Sequence, residues 1–205
     1  MIKSKIYSKH PADSELDFIA LDCHLWPEEY PFFVSSEVAI CAVEDVGLCV
    51  SFIAKEPSPR AVFKHRDDPV CNDSCMEFFF QPFADDNRYL NFEINPNAAC
   101  LCAIGNDRYD RIFLKEISCV EPIVSAEIFQ QEWSAKLTVP EQLISDAFGR
   151  DFCVSQLNFI RANFYKCGDQ TAAAHYSSLF PVVTVQPDFH RSEFFQKIYF
   201  QHERK

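Results

Sequence analysis

The chain has 205 residues, 48% of them hydrophobic, with 21 Phe and 4 Gly, which suits one domain, residues 1–205, with a filled core and no long flexible linkers. A formal net charge of −11 without any basic block argues against nucleic acid and anionic membranes as partners. No apolar run reaches the roughly 18 residues of a membrane span, and the residues from Met1 to Ser8 hold no apolar leader core.

Residues up to about Glu15 are polar without a clear period, and read as an edge strand or a loose arm. Trp26 to Pro31 carries two prolines and reads as a loop. The runs 38–43 and 48–54 are β-type and separated by a short polar turn, a hairpin signal. Pro57 and Pro59 then break the chain before a polar loop over 65–74. The central hairpin follows, from Cys75 to Asn95 through a turn at 84–87. Strand side chains alternate between faces. Met76, Phe78 and Phe80, then Leu90, Phe92 and Ile94, form one row, and Glu77, Phe79, Tyr89, Asn91, Glu93 and Asn95 form the other. The first row predicts a core wall and the second a polar, aromatic-bearing outer face.

A short strand over 99–104 ends at the turn signal Gly105-Asn106-Asp107. Residues 112–113, 123–129 and 133–139 continue the β pattern, with Trp133, Ala135, Leu137 and Val139 on one face. Pro140 and Glu141 open a brief helical turn over 140–144. A strand over 152–164 sets Ile160, Ala162 and Phe164 against Arg161, Asn163 and Tyr165, and Ile198 and Phe200 close the chain. Many short strands with frequent turns predict an all-β, antiparallel, immunoglobulin-like or jelly-roll-like sandwich.

The ten Cys sit scattered, Cys41, Cys49, Cys75, Cys100, Cys102 and Cys153 within apolar runs. There a free thiol behaves as a small buried hydrophobe, so a reducing, cytoplasmic setting is expected. Cys100 and Cys102 are too closely spaced for a zinc pair and fit a core role. His175 and His190 lie in apolar surroundings and read as structural histidines, and His24 as a surface one. Neither a Ser-His-Asp order nor a phosphate loop nor a dinucleotide fingerprint is present.

Several phrases, in order, resemble the family 9-like carbohydrate-binding modules: Asp73-Ser74-Cys75-Met76-Glu77-Phe78-Phe79, Tyr89 to Asn95, Trp133 with Val139-Pro140, Asn163 to Asp169, and Pro187-Asp188-Phe189-His190-Arg191 before Phe195. The resemblance covers about residues 16 to 200. It implies a jelly-roll-like sandwich that binds a saccharide or oligosaccharide without catalysis, in the service of carbohydrate catabolism, and it admits an extracellular location. The family's stacking tryptophans fall nearest Cys71 and Leu179 here, and Gln196 stands where the family often has Gly.

Sugar sites combine fixed polar groups with an apolar face for the ring. Glu77, Tyr89, Asn91, Glu93, Asn95, Arg161, Asn163 and Tyr165 have suitable types on the outer rows, as has the solvated face of any antiparallel sheet. Pairing across the turn also sets Glu77 opposite Glu93, the two carboxylates a glycoside hydrolase would need. Opposed carboxylates repel, so Arg161, Arg88 or a bound ion would have to stand between them. A fold that has lost sugar binding and serves as an interaction subunit is a further alternative. No cofactor is required by any motif. The resemblance adds structural calcium, for which Asp67, Asp68 and Asp73, with Asn72, form an oxygen-rich loop.

Overall fold

Alternation makes the strands. Trp133, Ala135, Leu137 and Val139 are all buried, whereas Lys136 between them is exposed. The computed structural model describes residues 2–203. Its strands are β1 (Ile2–Tyr7), β2 (Ile19–Ala20), β3 (Cys23–His24), β4 (Ser36–Val43), β5 (Gly47–Ala54), β6 (Cys75–Gln81) and β7 (Tyr89–Ile94). They continue with β8 (Cys100–Gly105), β9 (Arg111–Phe113), β10 (Ile123–Ile128), β11 (Trp133–Pro140), β12 (Phe159–Cys167), β13 (Tyr176–Ser178) and β14 (Gln196–His202), with one helix, α1 (Glu141–Phe148).

Hydrogen bonding joins the strands in the order β10-β11-β5-β4-β1-β14-β12-β6-β7-β8-β9. This sheet curls until its two halves face each other across one core, the sandwich expected from the pattern. The Phe52 ring of β5 meets Phe164 of β12 at 6.1 Å although the two strands are far apart along the sheet. Phe78 stacks between Phe80 at 4.5 Å and Phe164 at 4.8 Å. Each such buried ring contributes about 1.5–3 kcal/mol relative to exposure.

The architecture departs from the expected one at four places. The N-terminal segment is not an edge or an arm: β1 lies between β4 and β14, parallel to both, so the sheet is mixed. Ile6 and Tyr7 are buried there on opposite faces, and the pattern was masked by the exposed Lys3 and Lys5 that share the face of Tyr7. The helical turn at 140 continues to Phe148, burying Leu143, Ile144, Ala147 and Phe148, and ends at Gly149. Gly149 adopts φ 68°, left-handed backbone that Gly takes without strain. The extended run expected from 152 begins at Phe159, after a tight turn at Val154–Gln156.

The fourth departure concerns the central hairpin, every residue of which is buried on β6 and β7. Its second face is not solvated. Phe79, Tyr89 and Tyr165 on that face pack with Leu25, Val70 and Phe189 from segments folded over the sheet. The row carried too much aromatic surface to leave in water.

A buried polar network ties the layers together. Glu56, just past β5, accepts hydrogen bonds from Ser74 Oγ at 2.7 Å and Trp133 Nε1 at 2.9 Å. The fully buried Lys166 lies 3.3 Å from the same carboxylate. Lys166 Nζ also donates to His175 Nε2 at 2.6 Å and to the Cys167 carbonyl at 2.8 Å. Burial, reinforced by the Lys166 charge, pushes the His175 pKa down to about 4, so its ring is neutral and its Nδ1 donates to Ala173. Burial alone would raise the Glu56 carboxyl, but Lys166 and the two donors outweigh it and hold its pKa below the ordinary value.

Candidate functional site

Antiparallel register assembles the floor of one cavity on the second face. Glu77 of β6 lies directly opposite Glu93 of β7. On the far side of β7, Leu101 is opposite Glu93, and on the far side of β6, Tyr165 is opposite Glu77 and Cys167 opposite Cys75. Glu77, Glu93, Leu101 and Cys167 line a cavity of about 210 Å³. Its walls come from three loops. Pro69 and Cys71 precede β6, Arg108 lies in the β8–β9 turn and Arg111 opens β9, and the run from Pro187 to His190 closes the third side, with Asp169 and Tyr176 at the rim. Gly105 makes the β8–β9 turn close enough: a Cβ there would sit 1.8 Å from the Asp110 carbonyl oxygen.

The electrostatics follow from burying acids beside few cations. Burial, then the neighbouring Glu93, raises the Glu77 pKa well above the ordinary carboxylate value. The Cys167 thiol donates to Glu77 Oε1 at 2.9 Å. Burial raises Glu93 to about 7, partly offset by Arg111, whose Nη1 lies 3.6 Å from Glu93 Oε1. Asn91 Nδ2 donates to the same oxygen at 3.1 Å. Tyr89 OH and His190 Nδ1 share a hydrogen bond at 2.9 Å. Burial, then Arg111 and Arg108, lowers the His190 pKa to about 3, so its ring is neutral and accepts from the phenol. Arg108 Nη1 reaches Asp188 Oδ1 at 3.9 Å, linking two walls. A protonated carboxyl both donates and accepts, which matches the dual character of a hydroxyl.

The residues predicted from sequence divide into three groups. Glu77 and Glu93 line the cavity together. Asn91, Tyr89 and Tyr165 stand behind it: Asn91 holds Glu93, Tyr89 holds His190, and Tyr165 OH donates to the Phe189 carbonyl at 3.3 Å. Asn95, Asn163 and Arg161 serve the backbone elsewhere. Asn95 bonds Phe63, Asp73 and the turn at Asn97 and Ala99. Asn163 clamps both polar groups of the Phe180 backbone. Arg161 binds Gln81 and the Ser192 carbonyl, each at 3.0 Å. The cation beside the acid pair is therefore Arg111, not Arg161 or Arg88, whose partner is Asp86.

Arg108, Arg111, Asp169, Tyr176 and Asp188 were not foreseen as wall residues. The Gly105-Asn106-Asp107 turn was the one signal that the two arginines would project together. Cys71 does line the cavity, but Leu179 packs against the main core instead. Trp133 lies in the core, and Trp26 donates to the Thr184 carbonyl at 2.9 Å. Phe189 stacks on Tyr165 at 4.2 Å and on Trp26 at 6.0 Å, so both its faces are engaged within the protein.

The sequence model for carbohydrate-binding family 9 matches residues 9–200. The chain belongs to that family. Family 9 structures share its fold. A candidate carbohydrate-binding protein from Bacteroides uniformis is 24% identical, with a TM-score of 0.81 over 98% of both chains. A family 9 module from Caldicellulosiruptor kristjanssonii in complex with glucose is 9% identical, with a TM-score of 0.66 over 98% of this chain and 97% of that one. The same organism's family 9 module in complex with cellotriose is 8% identical, with a TM-score of 0.66 over 98% of this chain and 95% of that one. Among curated proteins no relative matches.

The family resemblance raised structural calcium at Asp67, Asp68 and Asp73, and the donors present do not fit it. Asp73 Oδ2 accepts from the backbone of Val62 and Phe63 and from Asn95. Asp68 caps Lys64 and His65, and those backbone donors hold its pKa below the ordinary value. Asp67 pairs with Lys115 at 2.8 Å. Asp67 Oδ2 and Asp73 Oδ1 are buried without a hydrogen-bond partner, but the three carboxylates do not converge on one point, whereas calcium wants six to eight oxygens around it.

Proposed function

We propose that this family 9 chain binds a saccharide in the Glu77–Glu93 cavity without breaking it down. The observation that supports this reading is the floor itself: two facing carboxyls backed by Asn91 and Arg111, flanked by the apolar surfaces of Pro69, Cys71, Leu101 and Pro187. Fixed polar groups there meet hydroxyls, and the apolar flank meets the C–H face of a ring. The volume is below the roughly 300–1,000 Å³ of drug-sized sites, so the ligand is one sugar ring or the end of a chain. Such a protein would accompany carbohydrate catabolism as its binding component.

The hydrolase alternative has one observation in its favour, the raised pKa values of both carboxyls. Against it, glycoside hydrolysis needs an acid and its partner on opposite sides of the scissile bond. Here the two sit side by side on one floor. A glycan array followed by calorimetry with glucose and cellotriose tests the proposal. Saturable binding at one site per chain, with no reducing ends released on prolonged incubation, is the expected result. An empty array would favour an interaction subunit, and release of reducing ends would favour the hydrolase.

A further inference from the structure

At the β6–β12 edge of the cavity floor, two thiols and a carboxyl converge. Cys75 and Glu77 are two apart on β6 and so share a face, and Cys167 of β12 is the cross-strand partner of Cys75. The ligating atoms of Cys75, Glu77 and Cys167 all lie within 4.8 Å of one another, and no other group of three such residues does so among the described residues. All three side chains are buried, held by two paired central strands rather than by a loop. Their placement therefore precedes any ligand.

We infer that Cys75, Cys167 and Glu77 form a binding site for zinc. Tetrahedral zinc takes sulfur at about 2.3 Å and oxygen at about 2.0–2.2 Å, so its ligands stand roughly 3.3–3.8 Å from one another. The present triad, with its ligand atoms within 4.8 Å of one another, stands about an ångström wider than that. Two sulfurs select a borderline-soft ion over calcium or magnesium. Glu77 and Cys167 also line the cavity, and Cys75 does not, so the ion would keep its fourth position open toward the cavity, the arrangement of an accessible rather than a closed zinc site. On binding, the two thiols and the Glu77 carboxyl release their protons to solvent, three in all, and the ion is held by two thiolates and a carboxylate. The net negative charge this leaves on the floor lies near the guanidinium groups of Arg111 and Arg108 in the cavity wall.

The test uses the full chain, purified under reductant and stripped with chelator, and titrated with zinc against a chromophoric chelator. One zinc per chain is expected, and cobalt in its place should give the near-ultraviolet thiolate-to-metal charge-transfer band. Losing one ligand in Cys75→Ser should weaken zinc about a hundredfold or more, since even groups behind the ligands are worth 10–100-fold. Cys75 lies outside the cavity lining, so sugar affinity of the metal-free protein should be unchanged in this variant. Alkylation mapped by mass spectrometry on the unmutated chain gives a reading that does not depend on the variant's folding: zinc should protect Cys75 and Cys167. Equal zinc affinity in Cys75→Ser, absence of the thiolate band, or protection only of other thiols such as the exposed Cys119 would overturn the site. Because these readouts need no saccharide, they stand whether or not the sugar proposal does.

Discussion

Replacing Glu56 with Ala is expected to cost about 3–5 kcal/mol, the usual effect of leaving one member of a buried ion pair without its partner. Lys166 is the group stranded: fully buried, it would keep only a neutral His175 and a backbone carbonyl. Ser74 Oγ and Trp133 Nε1 would lose their acceptor at the same time. For a domain of this size the melting midpoint should fall by roughly 6–20 °C, measurable by circular dichroism. The double variant Glu56→Gln with Lys166→Met removes both charges and keeps an acceptor, so it should lose much less. A Glu56→Ala midpoint within a degree or two of wild type would show that the network contributes little.

Stability should also fall as pH rises through the range from about 4.5 to about 7, the ordinary and folded values for Glu93. In that window the unfolded chain has released the Glu93 proton while the folded chain still holds it, so unfolding is favoured by raising the pH. Above pH 7 the cost is fully present, about 3 kcal/mol at 1.36 kcal/mol per pH unit. Glu93→Gln keeps the size and the acceptor for Asn91 but cannot ionise. It should therefore be more stable than wild type at pH 8, and the two should converge near pH 4. Melting curves of both proteins across this range isolate the Glu93 contribution from the general repulsion of an acidic chain. Parallel profiles would place the repulsion elsewhere.

The parts of the fold that could be read from sequence are those where period-2 alternation is unbroken. Trp133 to Val139 and the Met76-Phe78-Phe80 row went to the main core as their pattern required. The short turn at 84–87 was enough to set Glu77 against Glu93. What could not be read depended on segments folding back over the sheet. The row bearing Phe79 and Tyr89 alternates correctly, but whether water or protein covers it is decided by loops that have no period of their own. Arg111 reaches Glu93 from β9, across β8, and nothing in local spacing announces that. Arg161 has the right type on the right row, yet Gln81 and the Ser192 carbonyl hold it at the other end of β12. Nothing in local spacing marked Glu56 and Lys166 as a pair, because their meeting follows from β5 and β12 lying on opposite layers.

Glu77 offers the most direct test of saccharide binding on this floor. Burial and the neighbouring Glu93 raise its pKa, and Gln would keep much of its shape and hydrogen bonding, so Leu is the informative replacement. Glu77→Leu removes a donor and an acceptor, two hydrogen bonds at about 0.5–1.5 kcal/mol each, or roughly a five- to hundredfold rise in Kd. Arg161→Met is the control, because Arg161 lies outside the cavity. Calorimetric titration of wild type and both variants with cellotriose, in chelator, should show binding weakened in Glu77→Leu and retained in Arg161→Met. Equal affinity in all three proteins, or loss in Arg161→Met alone, would contradict the placement of the sugar on the Glu77–Glu93 floor.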